Sequence, residues 1–229
     1  MYVINLEQRT DRWGSVESES LKNKLELTRV DAVVAGSINA SECIYMPPGV
    51  VATWKSHQAA FREFLSTSDP FCLILEDDFV IPRMTRKLHI ALQEGYASFD
   101  FIQVGFLITS RIEYIDFKFQ NLFDILKKFF SFEFFPIDSI KYLKGKLTIS
   151  EQKGVPSELV LNDIRAGGHG YIISRKFAEA GLKMNEPVFF STDGVFMALG
   201  KSRSFKMARF RKSVIDQTDS LTSVSQRFI

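Results

Sequence analysis

A chain of 229 residues with a 45% hydrophobic fraction is long enough for one large domain and apolar enough to bury a core. Its 29 Lys and Arg stand against 27 Asp and Glu, a surplus too small to mark a nucleic-acid or anionic-membrane binder. No uninterrupted apolar stretch nears the roughly 18 residues that a membrane-crossing helix requires. The start Met1-Tyr2-Val3-Ile4-Asn5-Leu6-Glu7 reaches a charge before a signal-peptide apolar region can form. Two cysteines, Cys43 and Cys72, make no disulfide framework, and Cys72 lies in the apolar run Phe71-Cys72-Leu73-Ile74-Leu75, where a buried reduced thiol is expected. The expectation is a cytoplasmic protein of one domain, with no transmembrane segment and no nucleic-acid partner; peripheral membrane contact stays open.

In chain order, short apolar runs alternate with segments of helical period, the pattern of a mostly parallel α/β sheet. Met1 to Leu6 is the first expected strand. Charged Arg12 to Leu27 is expected as a helix and β-branched Arg29 to Ala35 as the returning strand, which makes one βαβ unit. Pro47-Pro48-Gly49 predicts a turn, after which Thr53 caps a helix whose apolar face carries Trp54, Phe61 and Leu65. Further strands are expected at Phe71 to Leu75 and Asp100 to Phe106. Between Ser110 and Ile164 the pattern loosens and phenylalanine becomes dense. Within that stretch Phe119, Leu122, Phe123, Leu126, Phe129 and Phe130 fall at helical spacing, which predicts an amphipathic helix packed on the core. Polar Lys144 to Gly154 reads as an exposed loop. Tyr171 to Ile173 is the next strand, with Ser174 placed to cap a helix running to about Leu182. Lys201, Arg203, Lys206, Arg209, Arg211 and Lys212 interleave with Phe205, Met207 and Phe210, the pattern of a half-buried strand with a solvated basic face.

The segment richest in chemistry is Leu73-Ile74-Leu75-Glu76-Asp77-Asp78, an apolar strand ending in three consecutive carboxylates. At the carboxyl end of an interior parallel strand these acids would line the crevice where such sheets bind ligands. Uncompensated charge is costly there. A hard divalent cation compensates it well, since carboxylate oxygens suit Mg²⁺ or Mn²⁺, and these ions bridge to substrate phosphates. Strand alternation sends Glu76 and Asp78 to one side and Asp77 to the other. From the strand alone, a solvated acidic turn fits as well as a metal site.

Read with its neighbours, this motif resembles glycosyltransferase family 25, which includes lipooligosaccharide galactosyltransferases and collagen-type galactosyltransferases. Four stretches carry the resemblance. Tyr2-Val3-Ile4-Asn5-Leu6-Glu7-Gln8-Arg9-Thr10-Asp11-Arg12-Trp13 is similar to the family's opening strand and Arg-x-x-Arg loop. Ser56-His57 with Leu73 to Asp78 resembles its Ser-His helix and Leu-Glu-Asp-Asp strand. Asp100-Phe101-Ile102-Gln103-Val104-Gly105 resembles a further strand, and Gly168-His169-Gly170-Tyr171-Ile172-Ile173-Ser174-Arg175 the Gly-Thr-His-Ala-Tyr-Ile-Ile-Ser block. The chain departs from the family at Ala52-Thr53, where Gly-Cys is common, and at Gly168, where Thr is usual. Residues 110–164 match no family motif.

The resemblance implies a GT-A-like, Rossmann-type fold, a mostly parallel sheet flanked by helices in one domain over residues 1–229. Within it, 1–109 would be the nucleotide-sugar half, 110–164 a variable acceptor-side segment, and 165–229 the histidine block and C-terminal part. The implied reaction is inverting transfer of a hexose, such as galactose, from a UDP-sugar to a hydroxyl of a glycan, lipooligosaccharide or protein. Asp78 and His169 are then the expected ligands of Mn²⁺ or Mg²⁺. Asn5, Leu6, Arg9, Arg12, Glu76 and Asp77 are expected around the nucleotide, the arginines as forked donors to phosphate or base. Asp193 is the candidate base that takes the acceptor's proton; a helix cap ahead of Val195 to Leu199 is its alternative role. His57, on a helix face with Trp54 and Phe61, is expected to be buried and hydrogen-bonded to the acidic strand. Two other functions fit the same residues: a metal-dependent phosphoryl-transfer or hydrolytic enzyme, and a degenerate carbohydrate-binding relative.

Overall fold

A computed structural model describes residues 1–82, 89, 98–106, 155–202 and 204–218. The helix expected over 119–130 and the loop expected over 144–154 lie outside them.

Four apolar runs form interior strands because both of their faces are buried. These are β1 (Tyr2–Asn5), β3 (Phe71–Glu76), β5 (Phe101–Gly105) and β7 (Gly170–Ser174). They are joined by β2 (Thr28–Asp31), β6 (Leu159–Leu161) and β8 (Met207–Phe210) in a seven-stranded sheet of order β2-β1-β3-β7-β5-β8-β6. Strands β2, β1, β3, β5 and β8 share one direction, while β7 and β6 run against it. The register sets Ile4 opposite Glu76 and Leu75 opposite Gly170. A small ribbon pairs β4 (Phe79–Val80) with β9 (Asp216–Gln217).

Strand alternation divides the core into two layers. Tyr2, Ile4, Ile74, Phe101, Tyr171 and Ile173 face α2 (Pro48–Leu65), α3 (Arg175–Gly181) and α4 (Thr192–Ser202), which contribute Trp54, Phe61, Phe64, Phe177 and Phe196. Aromatic rings dominate that layer, with Phe101 and Phe196 centroids 4.8 Å apart and Tyr171 and Phe196 4.9 Å apart. Val3, Leu73, Leu75, Ile102, Val104 and Ile172 turn to the other face, against Val16 of α1 (Thr10–Asn23) and against Phe79, Ile81 and Ile215.

Several boundaries differ from the sequence expectation. Helix α1 begins earlier and stops at Lys24, whose φ of 54° breaks the helix while Leu25 N–H returns to Ser20 O at 3.0 Å. Strand β2 ends at Asp31; Val33 N–H leaves the ladder for Ser56 Oγ at 2.8 Å. Thr53 is not a cap. The proline pair itself starts α2, since a proline in the first helical turn gives up no hydrogen bond, and Thr53 Oγ donates to Gly49 O at 2.9 Å inside the helix. Ser174 does cap α3, accepting from Phe177 N–H at 3.3 Å. Strand β6 draws the end of the loosely patterned stretch into the sheet edge. Strand β8 is buried along its length rather than half-solvated: Arg209 is 4% exposed, with its guanidinium on Asp163 at 2.5 Å and Phe210 O at 2.8 Å. Both cysteines are free thiols, and burial pushes the Cys72 pKa up. Among the described residues no helix is long and apolar enough to cross a membrane.

Candidate functional site

Strands β1 and β3 are parallel neighbours, with β2 on the far side of β1. From β1 the chain crosses through α1 to β2 on one side, then through α2 to β3 on the other, so the order reverses between β1 and β3. In open α/β sheets the crevice outside the carboxyl ends at such a reversal is where ligands bind. Asn5 closes β1 there, and Glu76, Asp77 and Asp78 follow β3.

Three adjacent carboxylates coexist because each has a compensating partner, one of them shared. Arg12, projecting from α1, places Nη1 2.7 Å from Asp77 Oδ1 and 3.6 Å from Asp78 Oδ2. Asn5, 1% exposed, donates from Nδ2 to Asp77 Oδ2 at 2.7 Å. Glu76 turns elsewhere, with Oε1 3.7 Å from Nε2 of His57. The expected alternation of the three acids therefore fails: the strand ends at Glu76 and a turn carries Asp77 and Asp78 to a shared arginine. Burial pushes the Asp78 carboxyl above its ordinary pKa and Glu76 adds to the shift, while Arg12 and His169 oppose it.

Arg9, by contrast, forks onto Asp11 at the surface, at 2.9 and 2.8 Å. Leu6 contributes its backbone, its carbonyl accepting from Arg9 N–H at 2.9 Å and from Arg29 at 3.5 Å. His57 is buried as expected. Its closest partner is Tyr171, whose hydroxyl lies 2.5 Å from Nδ1.

The opposite wall is the loop 165–169. Gln103, fully buried in β5, clamps it with three bonds: its amide donates to Arg165 O and Gly167 O at 2.8 and 2.9 Å, and its carbonyl accepts from Arg165 N–H at 2.9 Å. From α4, Asp193 Oδ2 accepts Gly167 N–H at 3.0 Å. Asp193 lies inside the first turn of α4, whose leading N–H groups are met by Ser191: Gly194 N–H reaches its hydroxyl at 3.2 Å and Val195 N–H its carbonyl at 2.9 Å. The capping role belongs to Ser191. A Cβ on Gly168 would stand 3.0 Å from Asp193 Oδ1, so here the backbone runs directly against the carboxylate.

His169, 1% exposed, follows that loop at the start of β7. Its Nε2 lies 3.3 Å from Ile215 O, and among the described residues its buried Nδ1 has no hydrogen-bond partner. Asp78 meets the same C-terminal segment: Gln217 Nε2 donates to Asp78 Oδ1 at 3.0 Å, and Thr218 N–H to Asp78 O at 2.9 Å. Among the described residues no three His, Cys, Asp or Glu side chains form a metal-holding group. His169 lies close enough to favour the charged form of Asp78, and both meet residues 215–218; an ion held by these two side chains would need further ligands from phosphate and water, as Mg²⁺ commonly takes.

The structure thus brings Asn5, Arg12, Asp77 and Asp78 together. Glu76 is directed toward His57, Asp193 sits behind the histidine loop, and Arg9 stays with Asp11. Gln103 and Gln217 were missed by sequence reasoning. Gln103 had one visible signal, an amide in the middle of an otherwise apolar interior strand; Gln217 had none.

A comparison of the sequence with curated proteins gives no match. The profile described as glycosyltransferase family 25 (LPS biosynthesis protein) matches residues 1–196. That range contains β1 through β7 and every expected site residue, and the sheet with its flanking helices forms a single α/β, GT-A-like domain. The chain is a member of glycosyltransferase family 25.

Proposed function

We propose that this glycosyltransferase moves a hexose, galactose foremost, from a UDP-sugar to a hydroxyl of a glycan, lipooligosaccharide or protein acceptor, inverting the anomeric carbon. One observation carries the reading: Asn5, Arg12 and the Asp77–Asp78 turn converge at the strand-order reversal, the position where open α/β sheets bind their ligands. Asn5 and Leu6 would border the base and ribose, with Glu76 and Asp77 on the ribose side. Arg9, its side chain 43% exposed, and Arg12, now on Asp77, would offer their guanidinium donors to the donor's phosphates.

Asp78 and His169 are the pair we assign to Mn²⁺ or Mg²⁺. A buried imidazole nitrogen without a hydrogen-bond partner among the described residues and a buried carboxylate that feels the same ring are the lone-pair donors such an ion accepts. When bound, the ion would screen the charge that develops on the diphosphate of the departing UDP. Asp193 is the candidate base; its Oδ2 accepts Gly167 N–H at 3.0 Å, a bond that sets the orientation of the carboxylate. Residues 110–164 are assigned to the acceptor side, and the free thiols fit a cytoplasmic site of action.

Calorimetric titration with UDP, with and without Mn²⁺, tests the donor reading, followed by a screen of UDP-sugars for slow acceptor-free hydrolysis. Tighter UDP binding with Mn²⁺ and hydrolysis of one UDP-sugar are expected. Asp78→Asn should abolish the Mn²⁺-dependent part of the affinity. Binding without uridine preference would favour a phosphoryl-transfer or hydrolytic enzyme, and uridine binding without turnover a degenerate relative.

A further inference from the structure

We propose that residues 213–218, beyond the range matched by the family profile, form a positioning strap that fixes His169 as its Nε2–H tautomer and holds Asp78 in one orientation. The inference rests on the cation reading above and adds which atoms meet the ion and what sets them.

The tautomer follows from the partner. A carbonyl oxygen only accepts, so the 3.3 Å approach of His169 Nε2 to Ile215 O is a hydrogen bond only if Nε2 bears the proton. In the neutral ring the lone pair is then on Nδ1, the buried atom that has no hydrogen-bond partner among the described residues. A ligating histidine is ordinarily fixed in this way, by a carbonyl or carboxylate on its other nitrogen. The strap grips Asp78 at side chain and backbone together. Gln217 donates to Oδ1 at 3.0 Å, Thr218 donates to the carbonyl through N–H at 2.9 Å and through Oγ at 3.3 Å, and Phe79 pairs with Gln217 across the β4–β9 ribbon. Oδ2 is left toward Arg12, at 3.6 Å.

The strap is itself anchored. Ser213 Oγ donates to Ile215 O at 2.6 Å and accepts from Phe106 N–H at 3.3 Å; Val214 N–H reaches Val104 O at 2.9 Å; the Ile215 side chain is fully buried. Gly105 completes the fit. A Cβ there would stand 2.5 Å from Cδ2 and 2.6 Å from Nε2 of His169, and 3.1 Å from Ile215 O. The contact between ring and carbonyl passes over a bare Cα, and a side chain would separate the two.

Long-range proton–nitrogen correlation spectra of the metal-free protein read the tautomer directly. The chain has 3 histidines, so a His169→Gln spectrum assigns the signals by loss. The expected result is a proton on Nε2 and a bare Nδ1 in the parent, with a second tautomer appearing in Ser213→Ala. Mn²⁺ titration of Gln217→Ala should show an affinity lower by about 10- to 100-fold, the usual effect of removing a group that orients a ligand. A proton on Nδ1 in the parent overturns the proposal, as does Mn²⁺ affinity in Gln217→Ala equal to the parent's. If a variant fails to fold, the parent's tautomer decides alone. A parent with the Nε2–H tautomer that takes up no Mn²⁺ supports the strap and overturns the cation reading instead.

Discussion

Asp193 holds Gly167 N–H with one oxygen, and an asparagine keeps an oxygen for that bond while losing the capacity to take a proton. If the carboxylate is the base, Asp193→Asn retains donor binding and lowers turnover by about 10² to 10⁴. Steady-state kinetics beside a UDP titration check this; unchanged transfer with a lower melting temperature would leave only the loop-holding role. Glu19 makes a pH prediction. Burial raises its pKa, but Ile81 N–H at 3.0 Å, Lys22 at 2.9 Å and Asn23 outweigh burial, and the carboxyl titrates below its ordinary value. A depressed folded-state pKa means that the unfolded chain takes up the proton first as pH falls. The stabilisation is thus complete above the ordinary glutamate pKa and is lost as pH drops through the folded value. Glu19→Gln should lower stability at pH 7 by about 1 kcal/mol and flatten the acid limb, measured as urea midpoints across that range.

Elements in this fold are placed by a few buried polar side chains as much as by apolar patterning. Gln103 alone satisfies three backbone groups of the histidine loop. Gln103→Leu keeps the strand apolar and leaves those groups unpaired, with an expected loss of about 2–3 kcal/mol in chemical denaturation and a weakened Mn²⁺ affinity. The interior strands β1, β3, β5 and β7 were legible because burial on both faces makes a strand a short apolar run. The start of α2 was not, because Pro47-Pro48-Gly49 serves equally as a turn and as a helix opening. Strands β6 and β9, of 3 and 2 residues, are too short for any period to show. Arg209 misled for a different reason: a charge in a strand reads as solvated unless its partner is known, and Asp163 lies far away in sequence. At the site, the acids and His169 were legible as residue types, whereas the ranking of Arg12 over Arg9 as their neighbour depends on where α1 begins.

At the scale of the molecule, the site gathers the end of β1, the turn after β3, the loop before β7 and the C-terminal strap, so a ligand bound there ties distant parts of the chain. UDP with Mn²⁺, at roughly a hundred times its Kd, should add about 2.7 kcal/mol to stability. For a domain of this size that is an upward shift of about 5–10 °C in melting temperature, measurable by calorimetry; no shift with UDP and Mn²⁺ at that excess would count against a nucleotide site here.

The reversed strand β7 has a further consequence for how the chain is made. It lies between β3 and β5, with Phe71 opposite Ser174 and Phe101 opposite Ile173, so two strands wait for a third that leaves the ribosome much later. Until it arrives, β3 and β5 each present a row of unpaired backbone groups flanked by apolar side chains, the type of edge that recruits other chains. A fragment ending at Phe106 is expected to self-associate in proportion to concentration on gel filtration, and a synthetic peptide spanning Gly170–Ser174 should suppress that association by occupying the vacant place in the sheet.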